Sequence, residues 1–355
     1  MYSAPMAKRY VTTLAHELNS SPPNDVLGCF DVDTIYFGGG TPSLLSPEQV
    51  EILLTAVRKR FNVSSDVEIT MEMNPGTVTP ETLCSFRKLG VNRASFGAQT
   101  FDDYELARLG RSHTADDTRR TFRLLREAGF ENVSFDLIAG LPRQSLEGWK
   151  RNLDESFAMR PEHLSFYLLE VHQGTPLAGH ISRGVEPMPD EDLATEMYKV
   201  MLEQAGKAGY THYEISNLSL PGFESRHNTK YWTGAPYYGF GCSAHSYDGR
   251  HRRWANERDL IRYLELIEGD RSAVVDETKL TEADRQAEAV FLGLRMMRGV
   301  NLHEHERIFG LDLRATHESD LERFLDAGLI ECSGDSLKLT RAGALVSNEV
   351  FSAFV

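Results

Sequence analysis

From Met6 to Ala208 the chain alternates helical patterns with short runs of β-branched and aromatic residues, and few architectures accept that order. Helical periodicity covers Met6–Leu18, Pro47–Arg60, Pro80–Leu89, Ala115–Ala128, Leu146–Met159 and Asp190–Ala208. Strand-like runs lie at Asp33–Phe37, Val67–Met73, Arg93–Gly97, Asn132–Ile138 and His163–Leu169. Strands separated by helices imply βαβ units and a parallel sheet. Right-handed crossovers then curl the sheet into a barrel or a doubly wound layer. After Tyr210 the pattern turns to Gly, Pro and aromatic residues with little periodicity, read as strand and loop structure. Helices are predicted again over Glu282–Met297, Leu302–Phe309 and Arg314–Ala327, followed by two short strands around Gly334–Asp335 and a closing helix. The expected division is therefore a main domain over 1–210, a strand and loop region over 211–280, and a small winged-helix-like α+β domain over 281–355.

Charge narrows the partners. The formal net charge of −14 disfavours broad binding to nucleic acid or anionic lipid, and makes a DNA-binding role for the terminal module a poor fit. No apolar run approaches the ~18 residues of a membrane span. The first ten residues, MYSAPMAKRY, do not read as a secretory signal. Four widely spaced cysteines (Cys29, Cys84, Cys242 and Cys332) form no disulfide framework, and a reducing cytoplasmic setting is expected.

Ligands of parallel α/β folds sit beyond the C-terminal ends of the strands. Those ends are polar here. The first run ends in Gly38, Gly39, Gly40 and Thr41, the second in Glu72, Met73, Asn74 and Pro75, and the third delivers Gln99. Asp136 lies within an apolar strand, where an unpaired carboxylate costs several kcal/mol. Glu170 ends the fifth run, and Arg111 follows the third. Each alone is ordinary turn chemistry or a solvated side chain. Together they suit an amphoteric ligand, with Arg111 for a carboxylate and Glu72 for a pair of ribose hydroxyls.

The segments YFGGGTPSLL, MEMNPGTV, RASFGAQTFDDYELARLGRSH, NVSFDLIAGLPRQSLEGW and LSFYLLEVHQGTPL resemble, in order and spacing, the radical S-adenosylmethionine (SAM) enzymes related to oxygen-independent coproporphyrinogen III oxidase. The stretch YEISNLSLPGFESRHNTKYWTGAPYYGFGCSAHSY is similar to their heme-chaperone branch, HemW, through its H-N-x-x-Y-W motif: His227, Asn228, Tyr231 and Trp232. The resemblance implies a partial parallel (β/α)6-type barrel lacking its first strand, plus the small C-terminal domain. It implies that Gly39, Gly40 and Thr41 receive the methionine part of SAM, that Glu72 binds its ribose, and that Gln99, Arg111 and Asp136 contact it, with Glu170 and His245 near that pocket. For His227 two readings stand: an axial heme ligand flanked by Tyr231 and Trp232, or a hydrogen-bonded histidine in a structural loop. His113, His172 and His245 are weaker heme candidates, and Met296 with Met297 reads as helix core.

Members of this family hold a [4Fe–4S] cluster on a C-x-x-x-C-x-x-C loop, and clusters need thiolates in close array. No such motif occurs among the four cysteines. The expectation is a chain that begins just after that loop, by truncation or a late start, rather than a cluster-free paralogue. In this form it is expected to hold no cluster and to cleave no SAM. The resemblance implies a heme chaperone delivering heme to respiratory membrane proteins, located in the cytoplasm or peripherally at the inner face of the membrane, with a homodimer as one arrangement and no nucleic acid. Two alternatives stay open: a coproporphyrinogen III oxidase-type enzyme of porphyrin biosynthesis, and a non-radical barrel that only keeps the scaffold.

Overall fold

A computed structural model describes residues 3–20 and 31–354. Cys29 therefore lies outside the described residues. The chain divides into two compact units: 35–46 with 68–225, and 1–34 with 47–67 and 226–355.

A seven-stranded sheet has the order β1-β2-β3-β4-β5-β7-β6. Its strands are β1 (Val32–Phe37), β2 (Val63–Met73), β3 (Arg93–Gln99), β4 (Asn132–Ala139), β5 (His163–Leu168), β6 (Thr211–Glu214) and β7 (Asn217–Ser219). Helices α1 (Ala4–Ser20), α2 (Pro47–Arg60), α3 (Pro80–Leu89), α4 (Asp103–Arg108), α5 (Ala115–Glu127), α6 (Leu146–Met159), α7 (Pro176–Ser182) and α8 (Glu191–Lys207) alternate with them. β2 to β5 run parallel, as the alternation requires. The sheet finishes differently: β7 lies antiparallel to β5 and β6 antiparallel to β7, because the link between β6 and β7 is too short for a crossover.

Register explains why the sheet has one polar face. Glu72, Ser95, Ser134 and His163 stand opposite one another across β2 to β5, as do Gly97, Asp136 and Ser165 across β3 to β5. Laterally paired residues share a face, and successive residues alternate. The other face is Met73, Phe96, Phe135 and Leu164, with Leu137 beside Phe166, all buried. Its aromatic contacts are close: Phe96 to Phe135 at 5.5 Å between centroids, Phe122 of α5 to Phe135 at 6.2 Å, and Trp149 of α6 to Phe166 at 5.8 Å. Helices cover the apolar face, and the polar face is left for chemistry.

The other unit carries α9 (Arg226–Trp232), a three-stranded antiparallel sheet of β8 (His245–Tyr247), β9 (Arg252–Asn256) and β10 (Val274–Lys279), and α10 (Leu260–Glu268). The H-N-x-x-Y-W motif, read as strand and loop from sequence, is thus helical. The helix is fixed by distant partners that local patterning does not show: Lys230 pairs with Asp33 at 2.7 Å, and Arg226 donates to the Asp66 carbonyl at 2.8 Å.

The C-terminal part contains α11 (Glu282–Arg295), β11 (Val300–Asn301), α12 (Leu302–Phe309), α13 (Leu313–Thr316), α14 (Glu318–Asp326), β12 (Ile330–Ser333), β13 (Ser336–Leu339), α15 (Arg341–Leu345) and α16 (Ser347–Phe351). Gly334 turns the β12–β13 hairpin at φ 60°. Two sequence expectations change here. The helix expected over Arg314–Ala327 is broken at His317 (φ −120°), after the Asp312-capped α13. α11 stops at Arg295, before Met296 and Met297.

Candidate functional site

The turn after β1 is built by three glycines, each for its own reason. A side chain on Gly38 would meet the Glu72 carboxyl carbon at 3.1 Å and crowd Tyr36, so Gly38 lets β1 and β2 side chains meet over the strand end. Gly39 holds φ 82°, a conformation that L-residues adopt only with strain. A Cβ on Gly39 or Gly40 would find no atom within 4 Å, so the outer side of this turn faces open space.

Glu72 fastens the turn. The Tyr36 hydroxyl donates to Glu72 Oε1 at 2.7 Å, and the Gly39 N–H donates to Oε2 at 3.1 Å. The N-P-G turn after β2 braces it from the side: Asn74 Nδ2 donates to Thr41 Oγ1 at 3.0 Å, Thr77 Oγ1 donates to the Asn74 carbonyl at 2.7 Å, and Ser43 and Thr77 hydroxyls meet at 2.9 Å. Tyr36 is pushed upward by burial and by the adjacent Glu72 carboxylate, so its hydroxyl remains a donor.

Asp136 stands on the same polar face. Desolvation pushes its carboxyl up to about 6, with the Glu72 charge adding to the rise; the Ser165 hydroxyl, Arg93 and Arg111 oppose it. Two carboxylates sharing one poorly solvated face require cations or donors nearby. Arg93, itself 2% exposed, supplies one of them. Gln99 lies on this face two residues after Gly97, beside a bulge. Gly97 pairs with Asp136 and Gln99 with Leu137, so Ala98 is an extra residue. Gln99 holds φ 67° and is 6% exposed, and its amide lies over Gly97, where a side chain would collide with it. The exposed Arg111 guanidinium approaches the same glycine.

Gly38–Thr41, Glu72, Gln99, Arg111 and Asp136 therefore belong to one end and one face of the parallel strands. Glu170 is exposed beyond β5 and pairs with His172 at 3.5 Å. His245 is exposed on β8, in the other compact unit. Sequence reading missed Tyr36, Arg93 and Ser165 as members of the polar face. Their signal was present in RASFG, NVSFD and HLSFY, where polar and apolar residues alternate through three strands, unlike the apolar runs of a sheet buried on both sides.

On α9, His227 is bonded through both ring nitrogens: Nδ1 to the Thr34 hydroxyl at 3.0 Å and Nε2 to the Tyr231 hydroxyl at 2.9 Å. Its ring meets Tyr231 edge-on at 5.3 Å, and Tyr231 meets Tyr237 at 4.7 Å. The Arg295 guanidinium covers the Trp232 ring at 4.3 Å, while the Trp232 indole nitrogen is buried without a hydrogen-bond partner. His113 is buried against the Ala98 carbonyl, 3.5 Å away, and Met296 is buried too.

The described cysteines do not fit a cluster. Cys84 is exposed on α3, Cys332 is exposed on β12, and the Cys242 thiol donates to the Arg258 carbonyl at 3.1 Å. Among the described residues no three metal-ligating side chains gather. The open turn at Gly39–Gly40, with a carboxylate, an amide and a guanidinium on the same polar face, does fit SAM.

Comparison with known proteins identifies the family. The radical SAM superfamily signature matches residues 26–155, and the HemN C-terminal domain matches residues 280–346. The heme chaperone HemW of Bacillus subtilis is 36% identical over 92% of this chain and 86% of its own length. That of Lactococcus lactis is 33% identical over 98% of this chain and 89% of its own. In three dimensions, coproporphyrinogen III oxidase (HemN) of Escherichia coli, a radical SAM enzyme, superposes on 100% of this chain and 85% of its own with a TM-score of 0.84, at 21% identity, a likeness of fold. By fold and by sequence identity over most of its length, the chain belongs to the HemW family of the radical SAM superfamily.

Proposed function

We propose that this chain is a heme-binding chaperone that also binds SAM, and that it passes heme to respiratory membrane proteins. Membership of the HemW family carries the heme part of this reading. The polar strand ends carry the SAM part. Gly39, Gly40 and Thr41 would take the amino-acid end of SAM, and Arg111 its carboxylate. Glu72 would bind the ribose with the acceptor capacity left beside Tyr36 and Gly39. Gln99 and Asp136 would line the remainder. In relatives with a cluster, SAM supplies a 5′-deoxyadenosyl radical; the four cysteines of this chain lack the motif for that cluster, so the residues here are assigned binding and orientation only.

His227 can offer a nitrogen to iron only by releasing Thr34 or Tyr231. A helix with this imidazole, Tyr231 and Trp232 is consistent with a heme contact that opens on binding. No described helix is long and apolar enough to cross a membrane. Delivery to membrane proteins is read as a peripheral encounter on the cytoplasmic side. Calorimetric titration of SAM and optical titration of hemin into the full chain test the two halves separately. SAM affinity lost in Glu72→Ala and retained in His227→Ala is the expected pattern. A chain that binds hemin no better than an unrelated acidic protein would end the chaperone reading.

A further inference from the structure

A cavity of about 510 Å³ opens in the compact unit that carries α1, β9 and α10. Its walls include His16, Tyr238, Phe240, Arg252, Trp254 and Arg271. That volume lies within the range of cofactor sites, roughly 300–1,000 Å³. Aromatic sides and arginine corners suit a flat apolar body bearing carboxylates.

His16 has the arrangement of a metal-ligating imidazole. Its Nε2 pairs with Asp270 Oδ1 at 2.8 Å, while Nδ1 has only the distant Ser20 hydroxyl at 3.4 Å, which also lies 3.5 Å from Nε2. A carboxylate on one ring nitrogen fixes the tautomer and the ring's orientation and leaves the other nitrogen to ligate, the usual outer-shell device of ligating histidines. Asp270 is held for this at φ 54°, just after α10, where its N–H is tied to the Ile267 carbonyl at 3.0 Å. Nothing comparable holds at His227, whose two nitrogens are both committed to hydroxyls.

The walls also hold unspent donors. The Tyr238 hydroxyl and Arg252 Nε are buried without hydrogen-bond partners. Arg252 Nη2 donates to Glu277 at 2.8 Å, and its guanidinium lies 4.8 Å from the Trp254 ring centroid. Arg271 reaches a single acceptor, the Glu265 carbonyl, at 3.4 Å. Buried unpaired donors are rare in native proteins and call for a ligand group or water.

We infer that this cavity is a porphyrin site, with His16 offering an imidazole to the heme iron, Trp254, Tyr238 and Phe240 flanking the ring, and Arg252 and Arg271 receiving its propionates. The inference rests on the heme-binding reading above and names the pocket for it.

Hemin titrated into the full chain, followed at the Soret band, tests it alongside His16→Ala, Asp270→Asn and Ser272→Trp, the last placing bulk at the cavity wall. His16→Ala should lose the imidazole-type spectrum and bind at least about tenfold more weakly, with free imidazole restoring the band. Asp270→Asn should keep the heme and raise its reduction potential, because the negative charge facing the imidazole no longer stabilises ferric iron. Ser272→Trp should weaken hemin and leave SAM affinity unchanged. Wild-type spectrum and affinity in a folded His16→Ala chain, or an unchanged potential in Asp270→Asn, would overturn the assignment. A wild-type chain that fails to bind hemin would instead remove the chaperone reading, and the pocket's ligand with it.

Discussion

Replacing Asp136 by Asn should make this protein more stable while weakening its hold on SAM. The carboxyl is raised from an ordinary value of 3.8 to about 6, chiefly by desolvation and secondarily by Glu72. A folded-state value above the unfolded one means that the folded chain takes up the proton first. Between the two values, stability falls as pH rises, and above 6 the whole cost of the charge is present. A shift of about 2 units at 1.36 kcal/mol each makes that cost about 3 kcal/mol at pH 7.5. At pH 4.5 the folded carboxyl is already protonated, and only about 1 kcal/mol remains. Asn keeps a hydrogen-bonding partner for Ser165 and removes the charge. The expected gain at pH 7.5 corresponds to roughly 4 °C in Tm for a chain of this size. Scanning calorimetry of both proteins at pH 7.5 and 4.5, with SAM titrations at pH 7.5, measures it. A gain of equal size at both pH values, or a loss at pH 7.5, would refute the reasoning, since neither can come from an unfavourably charged carboxylate.

Glu72→Ala frees the Gly39 turn and the Tyr36 hydroxyl, and should cost about 1–3 kcal/mol in urea melts while lowering the Asp136 value; Glu72→Gln should share the second effect and little of the first. His163 is fully buried between the Ser134 and Tyr213 hydroxyls, each at 2.7 Å, and burial with the nearby Arg93 charge holds it well below 6.5. The unfolded chain binds that proton first, so stability should be retained above pH 6.5 and fall by up to about 1.4 kcal/mol per unit below it, a slope that a His163→Gln chain lacks. His227→Ala removes the bonds to Thr34 and Tyr231 and should lower stability by about 1–3 kcal/mol. A Soret band that also moves on this change would make His227 an iron ligand after release from Thr34; an unchanged band leaves it as the fastener of α9.

Much of this molecule was legible in the order of its residues. Helices over Pro47–Arg60, Pro80–Leu89, Leu146–Met159 and Leu302–Phe309 end where their periodicity and caps end, because those signals are local. The parallel core followed from strands separated by helices, and strand-end placement of Glu72, Gln99 and Asp136 followed from strand polarity. What local patterning could not reach was anything set by distant partners. The motif at His227 folds as a helix because Asp33 and Asp66, 197 and 160 residues before their partners, hold its lysine and arginine. The Gly38 turn proved tight because Tyr36 and Glu72 pack beneath it, and the Gln99 amide lies over Gly97 from a backbone at φ 67° that follows a bulge at Ala98. The sequence alone determined which chemical groups lie at each strand end and that no cysteine triplet accompanies them. Tertiary structure decided which groups share a face and which are already spent on one another, because hydrogen bonds and desolvation depend on neighbours in space.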